Sequence, residues 1–386
     1  MRIFISAGEP SGDLHGSNLI KALRIRHPEV EICGFGGNKM QKEGASLLAH
    51  CDDLEVVGID QVLVRFPQFV RWVGHASRKM RQWRPQAVVL IDFPGFNWWI
   101  AKKAKELGIP VMFFVPPQIW AWASWRIKKM RRLVDRVLCN FPFEEKWYRD
   151  RGVDASLVGH PYFDELAKRE LRTEKMRSLD GGSGRKIALL PGSRRQELQF
   201  NGKTLLDSAR RLHAKHPDIH FEVACLRPAH AQTMAELGRS LNLPQDFPLQ
   251  YRIDSTPEII AKSWACMAVS GSVSLELLHQ ALPSQIIYQS KPYMIKLARM
   301  MMNCRYISLP NLLADEELFP ESFDYKDLTP ALTHRMSEWL ESGDQMEGLR
   351  ERLRSLWSQV FHPGACERAA DEVLQMVRSG PMRKAA

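Results

Sequence analysis

No run of about 18 uncharged apolar residues, the length a helix needs to cross a bilayer, occurs in the 386-residue chain. No spanning helix is therefore expected. The opening stretch Met1–Ser6 is too short for the apolar segment of a secretory signal, and Gly8 and Glu9 break it. Paired cysteines are missing too. Cys33, Cys51, Cys139, Cys225, Cys266, Cys304 and Cys366 are scattered, odd in number and never in a CxxC pair. Neither a zinc site nor a disulfide frame is expected, and the set reads as reduced and buried. Carboxylates are in short supply, 44 Asp and Glu against 54 Lys and Arg, for a formal charge of +10. That excess points to a polyanionic partner: nucleic acid, an anionic membrane face or a phosphorylated substrate. Short repeats and long low-complexity tracts are absent.

What is present is alternation. Apolar β-rich runs at Arg2–Ser6, Glu31–Gly34, Ala87–Ile91, Val111–Val115, Arg136–Cys139 and Ser156–Gly159 are separated in several places by amphipathic stretches, Leu19–Arg26, Phe69–Trp83 and Trp98–Leu107. This predicts a parallel sheet covered on both faces. The charged segment from Leu166 to Lys186, with GGSG near its end, has little to bury and reads as a hinge. Alternation then restarts, with strands expected at Ile187–Leu190, Phe221–Cys225, Met267–Ser270 and Gln285–Tyr288. Helices are expected at Lys203–His213, Ala231–Leu241, Ser274–Gln280 and Met294–Met301. From about Thr329 to Val377 the pattern is mostly helical, with breaks near Gly343 and at Pro363-Gly364. Expected boundaries are a first α/β domain over 1–165, the hinge over 166–186, a second α/β domain over 187–362 and a helical segment over 363–386. Two doubly wound halves joined by a hinge imply a central cleft, with ligands at the carboxyl ends of the strands.

The turns after the strands carry the chemistry. FISAGEPSGDLHG, residues 4–16, has the outline of a Rossmann-type βα turn. Its Glu9 and Asp13 would repel a phosphate, and with Ser11 and Gly12 the turn suits a hydroxyl-rich partner better. Asp92, in VVLIDFPGFN, ends a buried strand, where partial desolvation favours a base; the competing reading is an Asp that caps the next turn near Asn97. His15 and His160 are further base candidates, more plainly read as structural. In KIALLPGSRRQEL, Gly192 admits a ligand, Ser193 offers a hydroxyl and Arg194 a bidentate donor for a phosphate. In MAVSGSVSLELL, the turn Ser270-Gly271-Ser272 opens a helix that suits an anion, and Glu276 follows as an acceptor for sugar hydroxyls or as a helix-dipole partner. PPQIWAWASW, with Gln118, Trp120 and Trp122, reads as a pocket wall or as packed loop aromatics.

Val56–Val73, VVGIDQVLVRFPQFVRWV, is unusually apolar for a connection. Val62, Val64, Phe66, Phe69 and Trp72 lie there among Arg65 and Arg71. Arg78, Lys79, Arg81 and Arg84 follow, and Arg126, Lys128, Lys129, Arg131 and Arg132 form a second basic group. Aromatics beside cations fit reversible contact with an anionic membrane surface; an ordinary core helix with a charged outer face is the alternative. Nucleic acid is disfavoured, because the cations accompany an apolar patch and the strand-end turns hold carboxylates.

These motifs together resemble the lipid-A-disaccharide synthase family. SAGEPSGD (Ser6–Asp13), GFGG (Gly34–Gly37), IDFPGFN (Ile91–Asn97), WAW (Trp120–Trp122) and FPFE (Phe141–Glu144) come in the family's order. GHP (Gly159–Pro161), LLPGSR (Leu189–Arg194), SGS (Ser270–Ser272) with Glu276, and SLPNLLAD (Ser308–Asp315) complete the set. The chain departs from the family where SPSVWAW is usual, having Pro116-Pro117-Gln118-Ile119-Trp120, and where Thr is common, having Ser272. The resemblance implies an α/β fold of GT-B type, two Rossmann-like doubly wound parallel-sheet domains facing a central cleft. It implies an inverting glycosyltransferase that condenses UDP-2,3-diacylglucosamine with 2,3-diacylglucosamine 1-phosphate, giving a β-1,6 disaccharide 1-phosphate and UDP without metal or cofactor. It makes Asp92 and Arg194 essential, puts Glu276 and Asn311 on the UDP side, and leaves Asp92, Asp13 and Glu9 all open as the base. It also implies peripheral association with the inner face of the inner membrane and a homodimer exchanging C-terminal segments. A muramyl-lipid glycosyltransferase and a UDP-sugar 2-epimerase are the neighbouring alternatives of similar build.

Overall fold

The computed structural model describes residues 1–51, 59–168 and 185–379. The chain divides into two compact units, Met1–Lys168 with His362–Ala386, and Arg169–Phe361. The expected hinge falls largely on 169–184, outside the described residues.

The first unit is built on strands β1 (Arg2–Ala7), β2 (Glu31–Gly36), β3 (Ser46–His50), β4 (Ala87–Ile91), β5 (Val111–Phe114), β6 (Arg136–Cys139) and β7 (Ala155–Leu157). They form one parallel sheet in the order β3-β2-β1-β4-β5-β6-β7. β4, AVVLI, is buried at every position, as a central parallel strand with helices on both faces must be. One face packs Phe35, Met80, Phe96, Trp98, Phe113 and Tyr148 beneath the helices Ile59–Trp83, Pro94–Glu106 and Ile127–Leu133. The other packs Ile5, Leu19, Leu23, Val89 and Phe114 beneath the helix Pro10–Arg26 and the last helix, Ala365–Ser379.

That last helix returns to the first unit through buried Ala369, Ala370 and Val373. Asp164 fixes its start: the carboxylate accepts hydrogen bonds from the N–H groups of Gly364 (2.6 Å), Ala365 (3.1 Å) and Cys366 (3.0 Å). A carboxylate there satisfies the orphan donors of a helix N-terminus and complements its dipole. Arg26 pairs with Asp371, and Arg136 with Glu372 at 2.6 Å.

The second unit has β8 (Lys186–Leu190), β9 (His220–Cys225), β10 (Leu249–Ile253), β11 (Ala265–Val269), β12 (Ser284–Gln289) and β13 (Glu321–Asp324). They form a second parallel sheet, ordered β10-β9-β8-β11-β12-β13. Both units are thus doubly wound and Rossmann-like, the pair of domains that characterises GT-B proteins. The strands unforeseen in the sequence are β3, β10 and β13, all at sheet edges. Their half-exposed positions, as in LQYRI, lack the continuous apolar run of a central strand. The helix Ile59–Trp83 runs through Pro67, where the sequence suggested a start only at Phe69. The cysteines carry no disulfide, and all but Cys304 are buried.

Replacing Asp164 with Ala leaves three helix N–H groups without their acceptor, a loss of about 1–2 kcal/mol. Hydrogen exchange across 365–379 should accelerate more than exchange in β4; equal acceleration would show that the cap does not anchor this helix.

Candidate active site

In each sheet the connections run opposite ways from two central strands, β1 and β4 in the first unit and β8 and β11 in the second. Ligands of doubly wound sheets bind beyond the carboxyl ends of such strands. In the first unit, β4 runs directly into Asp92 and Phe93, both in the left-handed region with φ +47°. Aspartate tolerates this conformation, but for a bulky aromatic it is a costly outlier. The turn is held by Asn97, which is fully buried. Its amide Nδ2 donates to the carbonyls of Asp92 (2.7 Å), Ile91 (3.2 Å) and Ser6 (3.2 Å), and its Oδ1 accepts from the Ser6 hydroxyl at 2.6 Å. One side chain therefore clamps the end of β1 to the end of β4. The Phe93 ring completes the arrangement by lying against Gly8, where any Cβ would clash with it. The first glycine of the opening turn thus makes room for an aromatic ring. Asp92 is half-buried, and the N-cap position of the following helix is Phe93.

The neighbouring turn is less open than its sequence suggests. Glu9 occupies the N-cap position of the helix Pro10–Arg26, Ser11 is exposed, and Gly12 lies against Ala7 and the Ile91 carbonyl. Asp13 is buried, and its two oxygens accept from the N–H groups of Gly37 (2.7 Å), Lys39 (3.0 Å) and Met40 (3.0 Å). It fastens the turn after β2, so the ligand-facing role expected of it does not match its geometry. Gln118 is exposed, whereas Trp120 is buried and donates through Nε1 to Glu144 at 3.0 Å. Glu144 is fully buried and also accepts from the Asn140 and Phe141 N–H groups; burial pushes its carboxyl up to about 7. His15 and His160 lie with ring centroids 6.4 Å apart. Burial lowers them to about 4 and about 3. Both are neutral at pH 7 and weak as bases, which fits the structural reading.

In the second unit, β8 runs into Pro191, Gly192 at φ +98°, Ser193 and Arg194, and the helix Arg195–Lys215 begins. Glu197, which sequence reasoning passed over, braces this turn. Its carboxylate accepts from the Ser193 N–H (3.0 Å) and the Arg194 N–H (3.2 Å) and pairs with the Arg194 guanidinium at 3.2 Å. The signal was the spacing: a glutamate three residues after an N-cap residue is the partner of a capping box. The Arg194 side chain stays two-thirds exposed. Beside it, β11 runs into Ser270, Gly271 and Ser272. A Cβ on Gly271 would meet nothing, so this turn borders open space. The Ser270 hydroxyl is committed to the Ile307 carbonyl and the Ser274 hydroxyl to the Gly271 carbonyl, each at 2.8 Å. The helix that follows, Val273–His279, is short, and Glu276 is buried within it.

Asn311 departs from expectation. It is fully buried and donates to the Phe319 carbonyl and Glu321 while accepting from the Leu318 and Phe319 N–H groups, at 2.7–2.9 Å. Its amide is saturated within the protein, so direct contact with UDP is not its geometry. Glu321 in turn receives the Ile307 and Ser308 N–H groups at 2.7 and 2.9 Å. Because Ile307 receives the Ser270 hydroxyl, Asn311 acts behind the Ser270 turn.

The expected membrane residues divide. Side chains of Val62, Val64 and Phe66 lie outside the described residues. Phe69 and Trp72 are partly buried and pack against the first core, Phe69 lying 5.6 Å from Phe96 between ring centroids. Among the described residues on this side of the first unit, Val70, Trp99 and Trp125 are exposed apolar side chains, the last two unforeseen, and Arg71, Lys102, Arg126 and Lys128 are exposed cations. Among the described residues no helix is long and apolar enough to cross a membrane, and no group of three or more His, Cys, Asp or Glu is arranged to hold a metal.

A family model described as lipid-A-disaccharide synthetase matches residues 3–373. The chain belongs to that family. Its similarity to a lipid-A-disaccharide synthase of Azoarcus sp. is 35% identity, over 98% of this chain and 96% of that one. For the synthase of Syntrophotalea carbinolica the figures are 34%, 98% and 96%. Among solved structures, a UDP-GlcNAc 2-epimerase from Neisseria meningitidis superposes with TM-score 0.68 at 11% identity, covering 97% of this chain and all of that one. A glycosyltransferase from Rickettsia africae gives 0.57 at 11%, covering 98% of each. At that identity these structures share the fold alone. Within the synthase family, the matched span extends past the SLPNLLAD motif to the last helix.

Two outcomes follow for this synthase site. Asn97→Ala frees the Asp92–Phe93 turn and should lower kcat about tenfold or more while UDP affinity stays unchanged. A kcat equal to the parent's would show that the clamp does not serve turnover. A buried neutral histidine stabilises the fold above its unfolded pKa near 6.5, and that contribution is lost as pH falls toward the folded value. His160→Phe should therefore flatten the fall of unfolding free energy between pH 6.5 and 4 by about 1.4 kcal/mol per pH unit. Parallel profiles would mean that His160 does not titrate on unfolding in this range.

Proposed function

We propose that Asp92 takes the proton from the 6-hydroxyl of 2,3-diacylglucosamine 1-phosphate as that oxygen attacks the anomeric carbon of UDP-2,3-diacylglucosamine. The new C–O bond forms as the bond to the β-phosphate breaks, and the electron pair leaves with UDP. In-line attack inverts an α-linked donor to a β-linked product. The chain is a glycosyltransferase of lipid A synthesis by family; the division of labour among residues is the proposal. Its main support is the Asn97 clamp, which spends a saturated buried amide and two left-handed residues to fix one carboxylate at the end of β4.

Asp92 is preferred over Asp13 because both Asp13 oxygens already accept backbone hydrogen bonds. Glu9, on the adjacent turn, is left to orient the acceptor sugar. On the donor side, Arg194 with Gly192 and Ser193 takes the diphosphate, where an exposed guanidinium on a braced turn offsets the charge on departing UDP. Ser270, Gly271 and Ser272 line the phosphate side and Glu276 accepts from the ribose, while Asn311 positions the Ser270 turn from behind. Trp120 and Gln118 form the acceptor wall.

Both substrates carry acyl chains, and the Val70, Trp99 and Trp125 surface with its cations suits docking on the anionic inner face of the inner membrane. A homodimer that exchanged the helix Ala365–Ser379 would reuse the Asp164 and Arg26 contacts between copies.

Asp92→Asn should lower kcat by about 10²–10⁴-fold with UDP binding intact. Arg194→Ala should lower kcat by about 10²–10³-fold and weaken UDP as well. A parental kcat in either variant removes that residue from the mechanism.

A further inference from the structure

The helix Pro292–Met301 of the second unit is turned inside out. Ile295 is its one fully buried side chain, whereas Tyr293 (61% exposed), Leu297 (44%) and Met300 (78%) point outward at the spacing of one helical face, with Met294 (37%) at its margin. Two fixed contacts hold the helix in place: Arg299 donates to the Phe323 carbonyl at 2.6 Å and pairs with Asp324 at 2.9 Å. The segment from Lys291 to Tyr306 carries Lys291, Lys296, Arg299 and Arg305 and no carboxylate. It follows β12, so it begins at the same carboxyl end of the sheet as the Gly192–Arg194 and Ser270–Ser272 turns.

We infer that this helix is a second lipid-contact surface, seating the second unit on an anionic bilayer independently of the Trp99 and Trp125 surface of the first. An outward stripe of Tyr, Leu and Met flanked by Lys and Arg is the pattern of an interfacial helix: the apolar face enters the headgroup boundary and the lysines reach back to phosphates. The charge argues for lipid over a second copy of the chain, because a self-complementary contact would bring the same cations together with no carboxylate on the segment to meet them. The inference stands on this helix's geometry and not on the catalytic assignment. Beside the donor turns, such a seat would let the acyl chains of a lipid-linked donor stay in the bilayer while its head is bound.

The test is sedimentation of the full chain with vesicles of phosphatidylethanolamine and phosphatidylglycerol, or of phosphatidylcholine alone, in a Trp99→Ser/Trp125→Ser background that mutes the first surface. Residual binding should prefer the anionic vesicles. Tyr293→Ser/Leu297→Gln/Met300→Ser should cut it about tenfold, and Lys291→Glu/Lys296→Glu should abolish the anionic preference, with UDP affinity and mass by light scattering unchanged. Equal vesicle binding with and without the triple substitution overturns the inference. So does a fall in oligomeric mass with vesicle binding intact, which would assign the face to a second copy. The charge-reversal pair, on exposed lysines, keeps the test decisive if the triple variant misfolds.

Discussion

The first unit carries a strained backbone beneath Asp92, the carboxylate proposed as the base. Asp92 and Phe93 sit in succession at positive φ, a conformation worth roughly 1–3 kcal/mol of strain per residue. Asn97 compensates by joining the carbonyls of Ser6, Ile91 and Asp92 across the two central strand ends. Gly8 makes room for the ring that the strain displaces. The SAGEPSGD and IDFPGFN motifs are thus two halves of one construction. It answers why a glycine turn of Rossmann outline carries carboxylates: its first glycine seats Phe93, and Asp13 fastens the turn after β2.

The second unit solves the matching problem with the opposite charge. Arg194 projects from a turn that Glu197 braces from beneath, and the Ser270 turn is secured in series by Ile307, Glu321 and Asn311. In both units the candidate site residues are held by polar side chains whose hydrogen bonds are made within the protein. Removing a partner from such a network leaves a desolvated donor or acceptor, so disruption is expected to spread along it.

Central strands were legible in the sequence because burial on both faces writes a continuous apolar run, as in AVVLI. The edge strands β3, β10 and β13 were not, since half-exposed residues leave no such mark. The places of Asp92, directly after β4, and of Arg194, in the turn after β8, were legible from the apolar runs before them. The supporting residues were not: Asn97 entered only as the neighbour of a capped turn, Glu197 was passed over and Asn311 was placed on the UDP side by the family resemblance. Their roles depend on carbonyls and N–H groups brought together from distant segments. The packing of Phe69 and Trp72 was hidden for a similar reason. Aromatic and basic residues interleave along a membrane helix and along a core helix alike, and neither pattern shows the contact of Phe69 with Phe96.

The most direct measurement of the central claim is UDP release by the purified chain from UDP-2,3-diacylglucosamine in detergent with EDTA, with and without 2,3-diacylglucosamine 1-phosphate. The account requires release that depends on the acceptor, accompanied by a disaccharide 1-phosphate in the mass spectrum. A folded chain that binds UDP yet releases none with both substrates present would contradict it.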